Sequence, residues 1–149
     1  MFENVNNIVI QEIPNGEPIC ITFNDNGVIT KLPEFLNGYK LTSPILANKI
    51  IYAVYTDKIL VNDIFDIITG TYMTQHDIFD TCIQLGLPCV TVKYNGKFKS
   101  MNHCTSFLRK VADNVRAIWI KQDEPVEERE TRCYIIRDNI INLEAVRHD

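Results

Sequence analysis

The sequence predicts an α+β protein made mainly of antiparallel β-strands, with two main helices. Runs rich in Ile, Val, Tyr and Phe recur along the chain and are separated by turns of Asn, Gly and Pro. Only two segments carry apolar residues at helical spacing, so strands and helices do not alternate as a doubly wound sheet requires. The chain has 149 residues, and we expect residues 1–149 to form a single domain.

The first half of the chain is rich in strand signals. Strands are predicted at residues 7–13, 19–23, 28–30, 49–55 and 58–67. Pro14-Asn15-Gly16 ends the first strand, and Asn24-Asp25-Asn26-Gly27 supplies the turn of a hairpin. Leu32–Leu36 fits a short helical turn, and a helix from Ala47 is an alternative to the fourth strand, because short apolar runs are ambiguous.

The clearest predicted helix covers residues 75–85. Thr74 is placed to cap its first turn together with Asp77, and Gly86 is placed to end it. One apolar face is formed by Ile78, Phe79, Cys82 and Leu85. This spacing predicts a helix packed on one side against a sheet.

The second half of the chain predicts a strand at 89–94, a turn at Asn95-Gly96 and a second helix that begins at Ser100 or Asn102. We expect three residues of this helix to point inward: Phe107, Leu108 and Val111. Later elements are a strand at 115–120, an exposed acidic loop at 123–130, a strand at 131–137 and a short terminal element at 140–146.

Composition gives few hints about function. The formal net charge is −4, so no overall positive field would attract nucleic acid or an anionic membrane. The apolar runs are too short to span a bilayer, the N-terminus does not resemble a secretion signal, and the five cysteines are scattered. We therefore expect a cytoplasmic protein with reduced thiols, in the host cytoplasm if the Asn- and Ile-rich composition reflects a viral or phage gene.

Complete catalytic and metal motifs are not found in the sequence. His103 and Cys104, combined with Cys82 and Cys89, match no zinc-binding spacing, and each fits a buried or satisfied side chain. Adjacent residues such as His103 and Cys104 usually point apart, which disfavours a thiol nucleophile. The glycines are scattered and form no phosphate-binding loop. We expect no catalytic residue, no metal and no cofactor.

A basic and aromatic segment at residues 93–99 suggests nucleic-acid contact. Lys93, Lys97 and Lys99 would bind phosphates, while Tyr94 and Phe98 between them would stack on bases. The same alternation is also typical of an ordinary exposed hairpin, and the net charge favours that simpler interpretation.

The middle of the chain resembles the nucleotidyltransferase core of phage-type RNA ligases. The resemblance rests on Phe65-Asp66-Ile67, then a helix, then Leu85-Gly86-Leu87-Pro88 and a strand that leads to Gly96-Lys97-Phe98. It implies an ATP-grasp-like ligase core in which the Phe65 ring packs on a nucleotide base. Weaker matches imply that Gly16 and Arg137 also border the nucleotide.

Departures from the ligase pattern concern the catalytic positions. The family's nucleophilic lysine falls on Ile13, and its glutamate and glycine fall on Arg132 and Cys133. Because nucleotidyl transfer needs an amine nucleophile and carboxylates that hold a metal, the resemblance implies an inactive relative.

Three functional hypotheses follow from the sequence. The first is a non-catalytic accessory protein on a shortened ligase-like scaffold that contacts a protein or a nucleic acid. The second is an active nucleotide-handling enzyme with a relocated nucleophile such as Lys31, Lys40 or Lys49. The third is a protein-interaction factor unrelated to ligases, which forms a dimer through an apolar strand.

Overall fold

A computed structural model describes residues 2–137 and 140–144, with side chains from residue 2 to residue 136. The strands are β1 (Asn7–Pro14), β2 (Glu17–Phe23), β3 (Ile29–Lys31), β4 (Lys49–Tyr55), β5 (Ile59–Asp66), β6 (Thr71–Tyr72), β7 (Thr91–Lys97), β8 (Val115–Gln122), β9 (Thr131–Arg137) and β10 (Ile140–Glu144). The helices are α1 (Gln75–Leu85) and α2 (Met101–Thr105), with 3₁₀ turns at Glu34–Leu36, Pro44–Leu46 and Ser106–Arg109. Antiparallel sheets with two helices confirm the α+β class.

The elements group into two compact units. Unit 1 consists of Met1–Asn15, Val90–Glu124 and Glu128–Asp149, and unit 2 consists of Gly16–Cys89 and Pro125–Glu127. The prediction of a single domain over residues 1–149 is not tested by this grouping and stays a prediction.

Unit 1 contains an antiparallel sheet in the order β10-β9-β8-β1-β7. Its core includes Ile8 and Ile10 of β1 and Ile118 and Ile120 of β8, which alternate along their strands and so share one face of the sheet. The helical segment at residues 101–109 contributes Cys104 to this core. Phe107, Leu108 and Val111 pack against the core as predicted, but Val111 lies beyond the end of the helical segment rather than on it.

Unit 2 contains a second antiparallel sheet, in the order β3-β2-β4-β5-β6. Its core is formed by buried residues from three strands, α1 and the segments between them: Ile19, Ile21, Phe23, Leu36, Leu46, Ile51, Ala53, Ile59, Val61, Ile64, Ile78 and Cys82. Burial of so many apolar side chains on one sheet face is the main source of stability for a unit of this size.

Helix α1 has the boundaries that the sequence predicts. The Thr74 hydroxyl accepts a hydrogen bond from the Asp77 backbone N–H, and Gly86 ends the helix in the left-handed conformation with φ 68°. Ile78 and Cys82 are buried on its inner side. No helix within the described ranges has both the length and the apolarity needed to cross a bilayer.

One turn prediction is wrong. Asn95 and Gly96 lie inside β7, where they pair with Val9 and Ile8 of β1. The Asn95 side-chain amide donates hydrogen bonds to the Ile8 carbonyl and, over 2.7 Å, to the Asp123 carboxylate. These long-range bonds favour the extended conformation over the local turn preference of Asn-Gly.

The other predicted strands correspond to observed ones, including the hairpin of β2 and β3 and the adjacent pair β4 and β5. The alternative helix from Ala47 is wrong, since β4 begins at Lys49. Strand β6 is not predicted by the sequence. Of the predicted terminal element, residues 140–144 form β10, and residues 145–146 lie outside the described residues.

Candidate functional site

Gly16 lies just before β2, the first strand of unit 2. A Cβ atom at this position would collide with the Tyr55 backbone carbonyl and would lie 2.8 Å from the Val54 side chain. The glycine is therefore required for the close approach of the chain to the end of β4. This packing role accounts for Gly16 without a ligand.

Phe65 belongs to an aromatic cluster formed by Tyr52, Phe65 and Tyr72. The Phe65 and Tyr72 rings meet edge to face with centroids 4.9 Å apart, and the Tyr52 and Tyr72 centroids are 6.4 Å apart. Because Ile51, Ala53 and Ile64 point into the unit 2 core, their strand neighbours Tyr52 and Phe65 lie on the opposite face of the sheet. Both rings are half-buried, and Tyr72 is buried.

The sequence could have revealed part of this aromatic cluster. Tyr52 sits between two inward-facing residues, so its outward direction follows from the strand period. Tyr72 belongs to a strand of two residues, which is too short to show a period. The same sheet face also carries Asp63, which pairs with Tyr52 in register, is fully buried and accepts a hydrogen bond from the Ile64 N–H.

Gly16 and Phe65 do not lie together. Gly16 precedes Glu17, which pairs with Tyr55 at one end of β4, whereas Phe65 pairs with Ile50 near the other end. Five residues of strand separate these partners by about 17 Å. Arg137 ends β9 in unit 1, and its side chain lies outside the described residues.

Asp66, next to Phe65, has a structural role. One carboxylate oxygen accepts hydrogen bonds from the Ile68 and Thr69 backbone N–H groups and so fixes the turn from β5 to β6. The other lies 3.4 Å from the Lys49 ammonium group, and both side chains are about four-fifths buried, with 20% and 19% of their surface exposed. Lys49 also donates a hydrogen bond to the Ala47 carbonyl.

The predicted phosphate-binding lysines lie on β7 and just beyond it. Lys93, Lys97 and Lys99 are exposed, and β7 is the edge strand of the unit 1 sheet. The Lys93 ammonium group is 4.0 Å from the buried Glu12 carboxylate, so part of its charge is balanced within the protein.

The aromatic residues that alternate with these lysines in the sequence lie against the core of unit 1. Tyr94 and Phe98 pack against the unit 1 core, and the Tyr94 ring meets His103 at 4.8 Å and Phe107 at 5.8 Å. Strand alternation therefore places the lysines and these two rings on opposite sides of the strand. Whether the lysines bind nucleic acid stays a prediction.

The positions to which the ligase resemblance assigns catalytic residues are part of the unit 1 sheet. Ile13 is buried in β1 and pairs with Ala117. Arg132 and the buried Cys133 pair with Ile120 and Trp119 of β8. An isoleucine has no nucleophilic atom, and an arginine carries the charge that repels Mg²⁺.

Two polar clusters in unit 2 are separate from the aromatic cluster. His76, Asp77 and Asp80 place ligand-type atoms within 4.8 Å of one another on α1, but all three are exposed. His76 and Asp80 already pair at 3.4 Å, as neighbours at this spacing on a helix surface commonly do. The second cluster is the Cys82 and Cys89 thiols, which form a hydrogen bond.

Comparison of the sequence with models of known protein families gives no match, and a search of curated proteins finds no match either. The resemblance to ligases therefore stays a prediction.

Proposed function

We propose that this protein is a non-catalytic binding protein that holds bases of a single-stranded nucleic acid against the aromatic cluster. The observation that carries the proposal is the partly exposed Phe65 ring, which lies on β5 and meets the Tyr72 ring edge to face at 4.9 Å. A ring held by a strand and a neighbouring ring is rigid, so little entropy is lost when a base stacks on it. An aromatic ring can stack on any base, so we expect binding of single-stranded nucleic acid with little preference for sequence.

The non-catalytic part of the proposal rests on Ile13 and Arg132. These residues occupy the positions where the ligase resemblance expects the nucleophile and a metal-binding carboxylate. Because the net charge is −4, long-range attraction of a nucleic acid is weak, so we expect most of the affinity at this site to come from stacking.

The first experiment measures anisotropy of fluorescent single-stranded oligonucleotides, with wild-type protein, Phe65→Leu and Phe35→Leu. Phe35 is a matched control because it is 52% exposed in unit 2 and lies outside the aromatic cluster. Loss of one stacked base should weaken binding by roughly 5- to 150-fold, corresponding to about 1–3 kcal/mol. Phe35→Leu should bind as the wild type does. Equal binding by both variants, or no binding by the wild type, would contradict the proposal.

A second experiment tests catalysis. The protein is incubated with radiolabelled ATP or GTP and Mg²⁺, denatured and separated on a gel. We expect no covalent nucleotide. A lysine-linked nucleotide would instead support an enzyme with a relocated nucleophile such as Lys31, Lys40 or Lys49.

A different observation favours protein interaction as the second candidate function. Val28, Ile45 and Ile67 are exposed on three segments that backbone hydrogen bonds join: Ser43 N–H to Gly27 O, Asn48 N–H to Asn24 O, and Ile67 N–H to Asn48 O. Ile68, 73% exposed, continues this apolar patch. Contiguous exposed apolar residues are typical of protein interfaces.

The occupant that we infer for the apolar patch is a second copy of the chain. Lys49 and Asp66 neutralise each other beside Ile67, so two copies can meet there without repulsion between these charges. Light scattering during size-exclusion chromatography should then give a dimer for the wild type and a monomer for Ile68→Asp. Ile83→Asp is the matched control, because Ile83 is 77% exposed on α1. A monomeric wild type at high concentration would rule out this candidate.

A further inference from the structure

Cys82 and Cys89 are close in space although six residues separate them in the chain. Cys82 is buried near the end of α1 and belongs to the unit 2 core, and Cys89 packs against the same core. Their thiols share a hydrogen bond. Cys89 is only partly buried, whereas Cys82 is buried.

Backbone hydrogen bonds fix the chain next to each of the two cysteines. The Leu87 N–H donates to the Cys82 carbonyl over 2.9 Å, which fixes the chain reversal at the end of α1. The Val61 N–H donates to the Pro88 carbonyl over 2.9 Å, and Cys89 forms a parallel bridge with Val61 of β5. The approach of the two sulfur atoms is therefore a result of the fold.

We propose that Cys82 and Cys89 form a reversible disulfide bond and that this pair is the site at which the protein reacts with peroxides. A partly exposed thiol beside a buried one is the arrangement in which the first is oxidised and the second resolves the product. This proposal does not depend on nucleic-acid binding.

The reaction balances with one peroxide molecule. The Cys89 thiol loses its proton, its sulfur attacks one peroxide oxygen, and the O–O bond breaks to give a sulfenic acid at Cys89 and an alcohol (water, from hydrogen peroxide). The Cys82 sulfur then attacks the Cys89 sulfur, the S–O bond breaks, and the hydroxyl group leaves as water with the proton of the Cys82 thiol. Two thiols have lost two hydrogens, and the peroxide has been reduced.

The environment of Cys82 makes it the less reactive thiol of the pair. The hydrogen bond with Cys89 and, secondly, burial raise the pKa of the Cys82 thiol above its ordinary value. The Cys82 thiol therefore stays protonated at neutral pH and is not the first of the two to react with peroxide, which leaves that step to Cys89.

Trypsin provides a direct test, because it cleaves after Lys58 and Lys93 and the sequence between them has no Lys or Arg. Both cysteines therefore fall in one peptide, residues 59–93. The full chain is treated with hydrogen peroxide, denatured with iodoacetamide present, digested and weighed. In the wild type we expect this peptide to carry no alkyl group and to be lighter than the reduced peptide by two hydrogens. Dithiothreitol before alkylation should restore two alkyl groups.

Two serine variants complete the design. In Cys89→Ser, Cys82 should be alkylated after the same treatment, because its oxidised partner is absent. Cys20→Ser is the matched control, since Cys20 is exposed on β2, and it should form the disulfide as the wild type does. Alkylation of both cysteines in the treated wild type, or a Cys82 disulfide to any other thiol, would overturn the proposal.

Discussion

A Cβ atom added to Gly16 would lie 2.6 Å from the carbonyl oxygen of Tyr55. This distance is shorter than any relaxed contact between a carbon and a backbone oxygen, and the opposing atom cannot turn away as a flexible side chain would. The chain enters unit 2 beside the end of β4, so that end fixes where β2 begins.

We predict that Gly16→Ala lowers the free energy of unfolding by about 1–3 kcal/mol, because the new methyl group must displace the backbone of β4. Urea denaturation measures the change. Gly96→Ala is the control, since its Cβ would meet only the end of the Tyr94 side chain, at 3.2 Å. Equal losses in both variants would show that the Tyr55 contact is unimportant.

The cap of α1 gives a second prediction. Thr74→Ala removes the oxygen that accepts the Asp77 N–H and should lower stability by about 1 kcal/mol. Thr74→Ser keeps that oxygen and should lose less than half as much, as measured by thermal or urea unfolding. An equally damaging serine would mean that the methyl group of Thr74, rather than its hydroxyl, matters.

Alkaline pH should destabilise the reduced protein through Cys82. Its pKa is raised in the folded state above 9.0, the ordinary thiol value. Above that pH the unfolded chain gives up the proton while the folded chain keeps it, so stability is complete below pH 9.0 and falls as pH rises. Cys82→Ala should remove up to about 1.4 kcal/mol of this loss for each pH unit.

This measurement requires a reducing agent, and unfolding curves at pH 8 to 11 provide the data. The Cys82→Ala variant will still lose some stability at alkaline pH, because burial also raises the pKa values of Cys20, Cys104 and Tyr39. A Cys82→Ala curve parallel to that of the wild type would contradict the prediction.

The three lysines of β7 and its extension give a fourth prediction. Replacement of Lys93, Lys97 and Lys99 by alanine should weaken oligonucleotide binding most at low salt and lower the slope of log affinity against log salt by up to about 2. The measurement is anisotropy over a salt series.

A triple alanine variant of Lys31, Lys40 and Lys58, which are exposed in unit 2, is the control for lost charge. If both triple variants change the slope equally, the β7 lysines have no specific contact with phosphate.

The features of the fold that depend on neighbouring residues could be predicted from the sequence, and those that depend on distant residues could not. Thr74 and Gly86 mark the ends of α1 because capping involves only neighbouring residues. Strand pairing is not local: β1 and β2 follow each other in the chain yet belong to different sheets. Asn95-Gly96 shows the same limit, since pairing with β1 overrides its turn preference.

The candidate site was predictable to a smaller extent. Phe65 could be singled out, but its support by Tyr72 depends on a two-residue strand that leaves no pattern. The Cys82 and Cys89 pair depends on the bridge of Cys89 to Val61, a contact with residues far along the chain. Spacing alone could not reveal it.

Unit 1 combines chain segments that precede and follow residues 16–89, and this order matters during synthesis of the protein. Strand β1 emerges from the ribosome before its partners β7 and β8, which follow only after residues 16–89 have been synthesised. Until then Ile8, Val9 and Ile10 have neither strand beside them, so this segment of the nascent chain is open to chaperones and to aggregation. Residues 16–89, by contrast, supply all five strands of their own sheet and have the opportunity to fold during translation.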